Sequence, residues 1–246
     1  TDPPPNLREY IQKCLTFANP AFDEAQKFGR STRGIPPFIY HYWNGGDNLI
    51  AIPRGWKCTF IANLHAAGYK FTSEDCLTKT ADLIYNSSIS LKGYQQKLIE
   101  NVMSQIESGT TEGLIVSPPG SGKTVIALEL ISRLKQPCLW LTHRNFLSDQ
   151  FLNRASSFLG IDVNDIGVIQ GPTCKIGKHL TVGMIATIHA KRYDLKEHFG
   201  TVVVDECHHV PAKTFLDVLN LVSPYYLFGI TATAYRRDGL QELMFN

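Results

Sequence analysis

From Leu91 onward the chain alternates short apolar runs with longer stretches whose apolar residues recur three and four positions apart. Short runs bounded by turn residues read as buried strands, and the longer spacing reads as helices with one packed face. The pattern predicts helices over 94–107, 125–134, 146–159 and 213–221. Strands are expected ending at 116 and over 138–141, 166–169, 180–186, 201–204 and 226–230. Such alternation implies right-handed crossovers, hence an α/β domain with a mostly parallel sheet covered by helices on both faces. Ligands of such sheets sit at the carboxyl ends of the strands.

The first ninety residues have a different texture. Three prolines (Pro3, Pro4, Pro5) open a frayed start, followed by a short amphipathic helix over 7–17 with Tyr10, Ile11, Cys14 and Leu15 on one side. Asn19-Pro20 stops it, and a second short helix is expected over 23–28. The aromatic, β-branched run 38–43 reads as a strand, turned by Asn44-Gly45-Gly46-Asp47 into a hairpin partner over 49–53. A helix over 56–67 ends at Gly68. The polar, extended stretch through Asn86-Ser87-Ser88 suits a linker, which places a domain boundary near Ser90. The expected organisation is a small α+β module over 1–90 and the α/β domain over 91–246. Tyr40, Tyr42 and Trp43, with Arg30, Arg33 and Arg54 nearby, either pack a small core or clamp a nucleic acid. Alternating aromatics on a strand favour packing.

Bulk charge adds little, because a formal +2 over 246 residues requires any nucleic-acid site to be a local patch. Six scattered cysteines without a C-x-x-C pair point to reduced thiols and away from zinc. No apolar run approaches transmembrane length and no leader opens the chain, so a soluble, intracellular protein, cytoplasmic or nuclear, without a membrane partner is expected.

The chemistry begins at Ser117-Pro118-Pro119-Gly120-Ser121-Gly122-Lys123-Thr124, between an expected strand and an expected helix. Gly120 and Gly122 allow positive φ, so that backbone N–H groups converge on an anion at a helix N-terminus. Pro119, Gly120, Ser121 and Gly122 thus cradle phosphates. Lys123 reaches the β/γ-phosphates, and Thr124 offers its hydroxyl to Mg²⁺. The usual pattern opens with Gly or Ala where this chain has Ser117. The second centre is Asp205-Glu206, emitted at the end of the apolar strand over 201–204. Asp205 is placed to hold Mg²⁺ and Glu206 to orient and deprotonate water. The alternative is two solvated acids capping the next helix. His208 and His209 lack the spaced partners that a further metal needs.

Lys123-Thr124, then Asp205-Glu206-Cys207-His208, then Thr231-Ala232-Thr233 resemble the DExH-box ATPases of helicase superfamily 2. The runs 205–219 and 229–239 are similar to the XPB-type branch and its prokaryotic and phage relatives. This resemblance covers roughly two-thirds of the chain. It implies a RecA-like P-loop lobe using ATP and Mg²⁺, with Gln95 contacting adenine, although Lys92-Gly93 stands where relatives often have Arg-Pro. It implies nucleic-acid contacts at Arg144, Gln150, Gly171 and Thr187, the last also a candidate helix cap. Thr231 and Thr233 would link hydrolysis to motion. Arg236-Arg237-Asp238 occupies the place of an Arg-Glu-Asp element and lacks its middle acid.

Together these imply the ATP-binding lobe of an ATP-dependent DNA helicase or translocase, with an N-terminal recognition module. DNA is the expected partner and RNA the alternative. The resemblance implies a second lobe supplying an arginine finger; the chain stops about a dozen residues after Thr233, so nucleotide binding with near-background turnover is expected. Two alternatives share the residues: a translocation motor of a restriction or antiphage system with nuclease, repair or defence partners, and a nucleotide-gated clamp without turnover. No Asn/Thr-Lys-x-Asp guanine motif is present.

Overall fold

The computed structural model describes residues 5–44, 49–143, 149–207 and 212–233. They form two compact units that divide between Ser73 and Glu74.

The N-terminal unit comprises α1 (Pro5–Cys14), β1 (Thr16–Ala18), α2 (Pro20–Lys27), β2 (Phe38–Tyr40), β3 (Trp43–Asn44), β4 (Ile50–Ala51) and α3 (Lys57–Ala66). The helix expected over 7–17 ends early because Thr16–Ala18 pairs antiparallel with Phe38–Tyr40. The single strand expected over 38–43 is two strands with different partners, since β3 pairs with β4. Asn19 fixes this corner. Its side-chain oxygen accepts from Ala21 N–H to cap α2, and its backbone and side-chain nitrogens donate to the Pro37 and Pro36 carbonyls at 2.9 and 2.7 Å. Ile11, Leu15 and Trp56 form the core, with Tyr42, Ile52 and Phe60 packed against it. The packing reading of the aromatics therefore holds for Tyr42 and fails for Tyr40 and Trp43, which stay exposed.

The larger unit contains α4 (Gly93–Glu107), β5 (Glu112–Val116), α5 (Lys123–Leu134), β6 (Cys138–Thr142) and α6 (Asp149–Leu159). It continues through β7 (Gly167–Gln170), β8 (Thr173–Lys175), β9 (Leu180–Met184), α7 (Ile185–Lys191), β10 (Thr201–Asp205), α8 (Ala212–Val222) and β11 (Tyr226–Thr231). The seven strands lie in the order β5-β11-β10-β6-β9-β7-β8, with neighbours parallel except the β7–β8 hairpin. Strand periodicity sorts the core. Trp140 and Val203 pack with Leu128 and Ile131 on one face; Leu139, Leu141, Val202 and Val204 pack with Ile188 and Val218 on the other. The strand expected over 180–186 stops at Met184, because the apolar run continues into α7.

Residues 74–90, expected as a linker with a boundary near Ser90, are a strap on this unit. Thr78 exchanges backbone hydrogen bonds with Ser223 and Tyr225, Leu83 N–H donates to the Lys135 carbonyl, and Ser88 N–H donates to the Phe158 carbonyl. The Tyr85 hydroxyl lies 2.8 and 3.0 Å from the Gln136 and His179 carbonyls. Burial pushes its phenol well above the ordinary range, which keeps it a donor. Gly160 has positive φ, and a Cβ there would collide with the Asn86 carbonyl.

Candidate nucleotide site and nucleic-acid edge

Strand order assembles the site. β5, β11 and β10 are adjacent, and their register pairs Val116 with Thr231 and Ile230 with Asp205. The carboxyl ends of these strands therefore deliver Ser117, Thr231 and Asp205-Glu206 to one edge. Lys123 and Glu206, far apart in sequence, meet at this edge: Lys123 Nζ lies 3.7 Å from Glu206 Oε1, with both side chains largely shielded. Glu206 has φ +46°, a left-handed conformation that costs a non-glycine residue energy and turns the chain sharply at the end of β10. Its neighbour Cys207 packs where Gly229 has no side chain; a Cβ at Gly229 would lie 2.9 Å from Cys207 Sγ.

The phosphate loop is held from three sides. Gly120 and Gly122 have φ of +78° and +79°, and α5 begins at Lys123. Ser117 N–H donates to the Thr231 carbonyl at 3.0 Å. The Ser117 hydroxyl, where the common pattern has none, donates to Ser121 Oγ at 2.6 Å and ties the loop to itself. From α4, the Tyr94 hydroxyl and the Gln95 amide donate to the Ser121 carbonyl at 2.6 and 2.9 Å. Gln95 Oε1 accepts from Lys92 N–H at 2.9 Å. These partners fix which end of the amide is oxygen and leave it one lone pair and one N–H. A Cβ at Gly122 would come within 2.6 Å of Gln95 Nε2, so the glycine is needed for space as well as for φ.

Beside the loop lies a cavity of about 240 Å³ lined by Ile89, Ser90, Lys92, Gln95, Val125 and Phe158 among others. Sequence reading named Gln95, Gly120, Ser121 and Gly122 on this wall and missed Ile89, Ser90, Val125 and Phe158. Tyr94 could have been found as the neighbour of Gln95 at a helix start. Ile89, Ser90 and Phe158 gave no signal, because the strap and α6 meet only in three dimensions.

The expected nucleic-acid contacts are placed in part. Gly171 follows β7 and Thr187 lies in the first turn of α7, after β9; Gly171 N–H donates to Thr187 Oγ1 at 3.2 Å. Thr187 is inside the helix, and the residue before it that caps the helix is Met184. Arg144 lies outside the described residues, as does the side chain of Gln150 at the start of α6. His208 and His209, and the element over 236–238, also lie outside them. Thr231 Oγ1 donates to the Thr233 carbonyl and accepts from its N–H, a closed turn at the end of β11.

Among the described residues no group of three His, Cys, Asp or Glu side chains forms a metal cage, and no helix is long and apolar enough to cross a membrane. A hydroxyl at Thr124 and a carboxylate at Asp205 nevertheless suit Mg²⁺, which keeps several waters and takes few protein ligands.

Comparison with known proteins bears on this geometry. Residues 88–236 match the family described as Type III restriction enzyme, res subunit. A putative ATP-dependent RNA helicase of Acanthamoeba polyphaga mimivirus is 29% identical over 165 residues, which cover 66% of this chain and 31% of that protein. The DNA 3'-5' translocase XPB2 of Sulfurisphaera tokodaii is 29% identical over 160 residues, covering 65% of this chain and 34% of that protein. The chain thus spans about a third of the length of these relatives. The solved structure of the UvsW helicase from bacteriophage T4 shares the fold, with a TM-score of 0.66 at 15% identity, over 98% of this chain and 91% of that one.

Proposed function

We propose, from the premise that the chain belongs to the Type III restriction enzyme res-subunit family, that it is the ATP-binding lobe of a DNA helicase or translocase. The observation carrying this reading is the approach of Lys123 to Glu206 across adjacent strand ends. A lysine and a carboxylate so placed can bracket a triphosphate terminus.

The residues divide the work. Main-chain N–H groups over 119–122 and the Lys123 ammonium bind the phosphates. Gln95 offers its remaining lone pair and N–H to the edge of adenine in the adjoining cavity. Thr124 and Asp205 would hold Mg²⁺, which neutralises charge on the β- and γ-phosphate oxygens when bound. Glu206 swings from Lys123 to take a proton from the attacking water, whose oxygen bonds to the γ-phosphorus as the bond to the ADP oxygen breaks. Gly171, Thr187, Arg144 and Gln150 serve as nucleic-acid contacts; Thr231 and Thr233 relay motion; the N-terminal unit recognises DNA. Intracellular placement and nuclease, repair or defence partners belong to the same reading.

The test is equilibrium binding of a fluorescent ATP analogue to the 246-residue chain. Lys123→Ala should weaken binding about 10- to 100-fold, the worth of a charge-assisted contact. Glu206→Gln should retain or tighten binding, because it releases Lys123, and should abolish DNA-stimulated hydrolysis in the longer protein. Equal affinity in native and Lys123→Ala chains would sink the proposal. The family description favours a second reading, translocation along duplex DNA without strand separation. Displacement of a third strand from a triplex, with no unwinding of a fork, selects it.

A further inference from the structure

We propose that the exposed face of β2, with Trp43 just beyond it, is a stacking platform for the bases of a single-stranded nucleic acid. This deepens the reading of the N-terminal unit as a recognition module and rests on it.

Several large rings stand in solvent where a small unit should bury them, among them Phe38 at 48% exposed, Tyr40 at 58% and Trp43 at 65%. Between the first two, Ile39 is half-buried and pairs with Phe17, so Phe38 and Tyr40 share the outward face of the β1–β2 ribbon. Tyr40 is held from behind. Its ring meets Tyr42 edge-on, at 5.8 Å between centroids and 77° between planes, and Tyr42 packs on the core of Ile11, Leu15 and Trp56. A ring set in this way loses little rotamer freedom when a base stacks on it.

Charge identifies the occupant. Residues 25–44 carry Lys27, Arg30 and Arg33 and no Asp or Glu. The Arg30 guanidinium lies 5.4 Å from the Phe28 ring centroid, and its pairing with Glu24 at 4.0 Å is solvent-exposed and weak. The first 73 residues hold eight Lys/Arg against five Asp/Glu, whereas the remainder holds sixteen against seventeen. The basic excess of the chain therefore lies in the unit that carries the exposed rings. Cations interleaved with aromatics, in a stretch that itself carries no acid, suit a polyanion with flat faces.

Spacing selects the single strand. Side chains two apart on a strand stand about 6.4–6.8 Å apart. That is about twice the 3.4 Å rise per nucleotide of a duplex strand. Bases resting on Phe38 and on Tyr40 must therefore be unstacked from one another, as duplex bases are not.

The experiment measures anisotropy of labelled oligo-dT, oligo-U and a blunt duplex hairpin with the full 246-residue chain, without nucleotide. Tyr40→Ala and Trp43→Ala should each weaken single-strand binding about 5- to 150-fold, the range for loss of one stacked base. Duplex binding and the thermal midpoint should not move, because the rings are exposed. Tyr40→Phe should bind like the native chain, and Tyr40→Leu, which keeps apolar area without a π-face, should not. Preference between oligo-dT and oligo-U names the strand and leaves the platform standing. Unchanged single-strand affinity in both alanine variants overturns it. So does equal loss on the duplex, native-like binding by Tyr40→Leu, or a native dimer that Tyr40→Ala converts to monomer. ATP affinity of the same variants is read separately. A chain that binds no ATP defeats the motor reading and not the platform, and normal ATP binding with unaltered oligonucleotide affinity does the reverse.

Discussion

The two units solve the problem of burying a core in opposite ways. The α/β unit covers its sheet on both faces, so that Leu139, Leu141, Val202, Val203 and Val204 are buried and its polar machinery is confined to the strand ends. The N-terminal unit has strands of two or three residues, a core of Ile11, Leu15 and Trp56, and several large rings outside. The first has stability in reserve and can keep a strained Glu206 at its edge. The second has little, since small cores leave a narrow margin over chain entropy. Its exposed rings are therefore a cost that binding can recover.

The sharpest way to break this contrast is one deletion in the small core. Leu15→Ala should cost about 2–5 kcal/mol, enough to unfold the N-terminal unit at 25 °C while leaving ATP affinity intact. Hydrogen exchange should read full exposure over 6–66 with protection retained over 138–142; uniform protection would show that the unit is not marginal. A smaller effect tests the strap. Tyr85→Phe removes the hydroxyl that serves the Gln136 and His179 carbonyls and should destabilise the α/β unit by about 1–2 kcal/mol. A linker would register nothing in chemical denaturation.

The smallest effect is one of pH. Among the described residues neither ring nitrogen of His41 has a hydrogen-bond partner, and burial holds its imidazole below the ordinary value of 6.5. The unfolded chain takes up this proton near 6.5 and the folded unit only at lower pH. Stability is therefore complete above 6.5 and declines as pH falls from there through the depressed value. Thermal midpoints of the N-terminal unit at pH 8 and pH 5 should differ, and His41→Leu should narrow the gap; an identical slope in the variant refutes the assignment.

Sequence was most informative where periodicity and burial coincide. β6, β10, α5 and the phosphate loop fall within a residue or two of expectation, because buried strands are written in unbroken apolar runs. β8 escaped notice because all three of its residues are exposed, and α7 because Leu180–Ala186 runs apolar through a junction of strand and helix. The strap was hidden for another reason. It is held by backbone groups and by Gln136, Tyr85 and His179, and bonds to carbonyls leave no trace in hydrophobic pattern. In the site, the loop and the two acids were legible one by one. Their meeting depends on β11 lying between β5 and β10, an order that hydrophobic pattern does not encode.

The backbone hydrogen bond from Ser117 to Thr231, continued by the hydroxyl of Thr231 to Thr233, has a mechanical meaning. A displacement of the glycine-rich turn by a fraction of an ångström meets no slack before the end of β11. In the proposed motor, this train of three residues is what gears the turn to the end of β11.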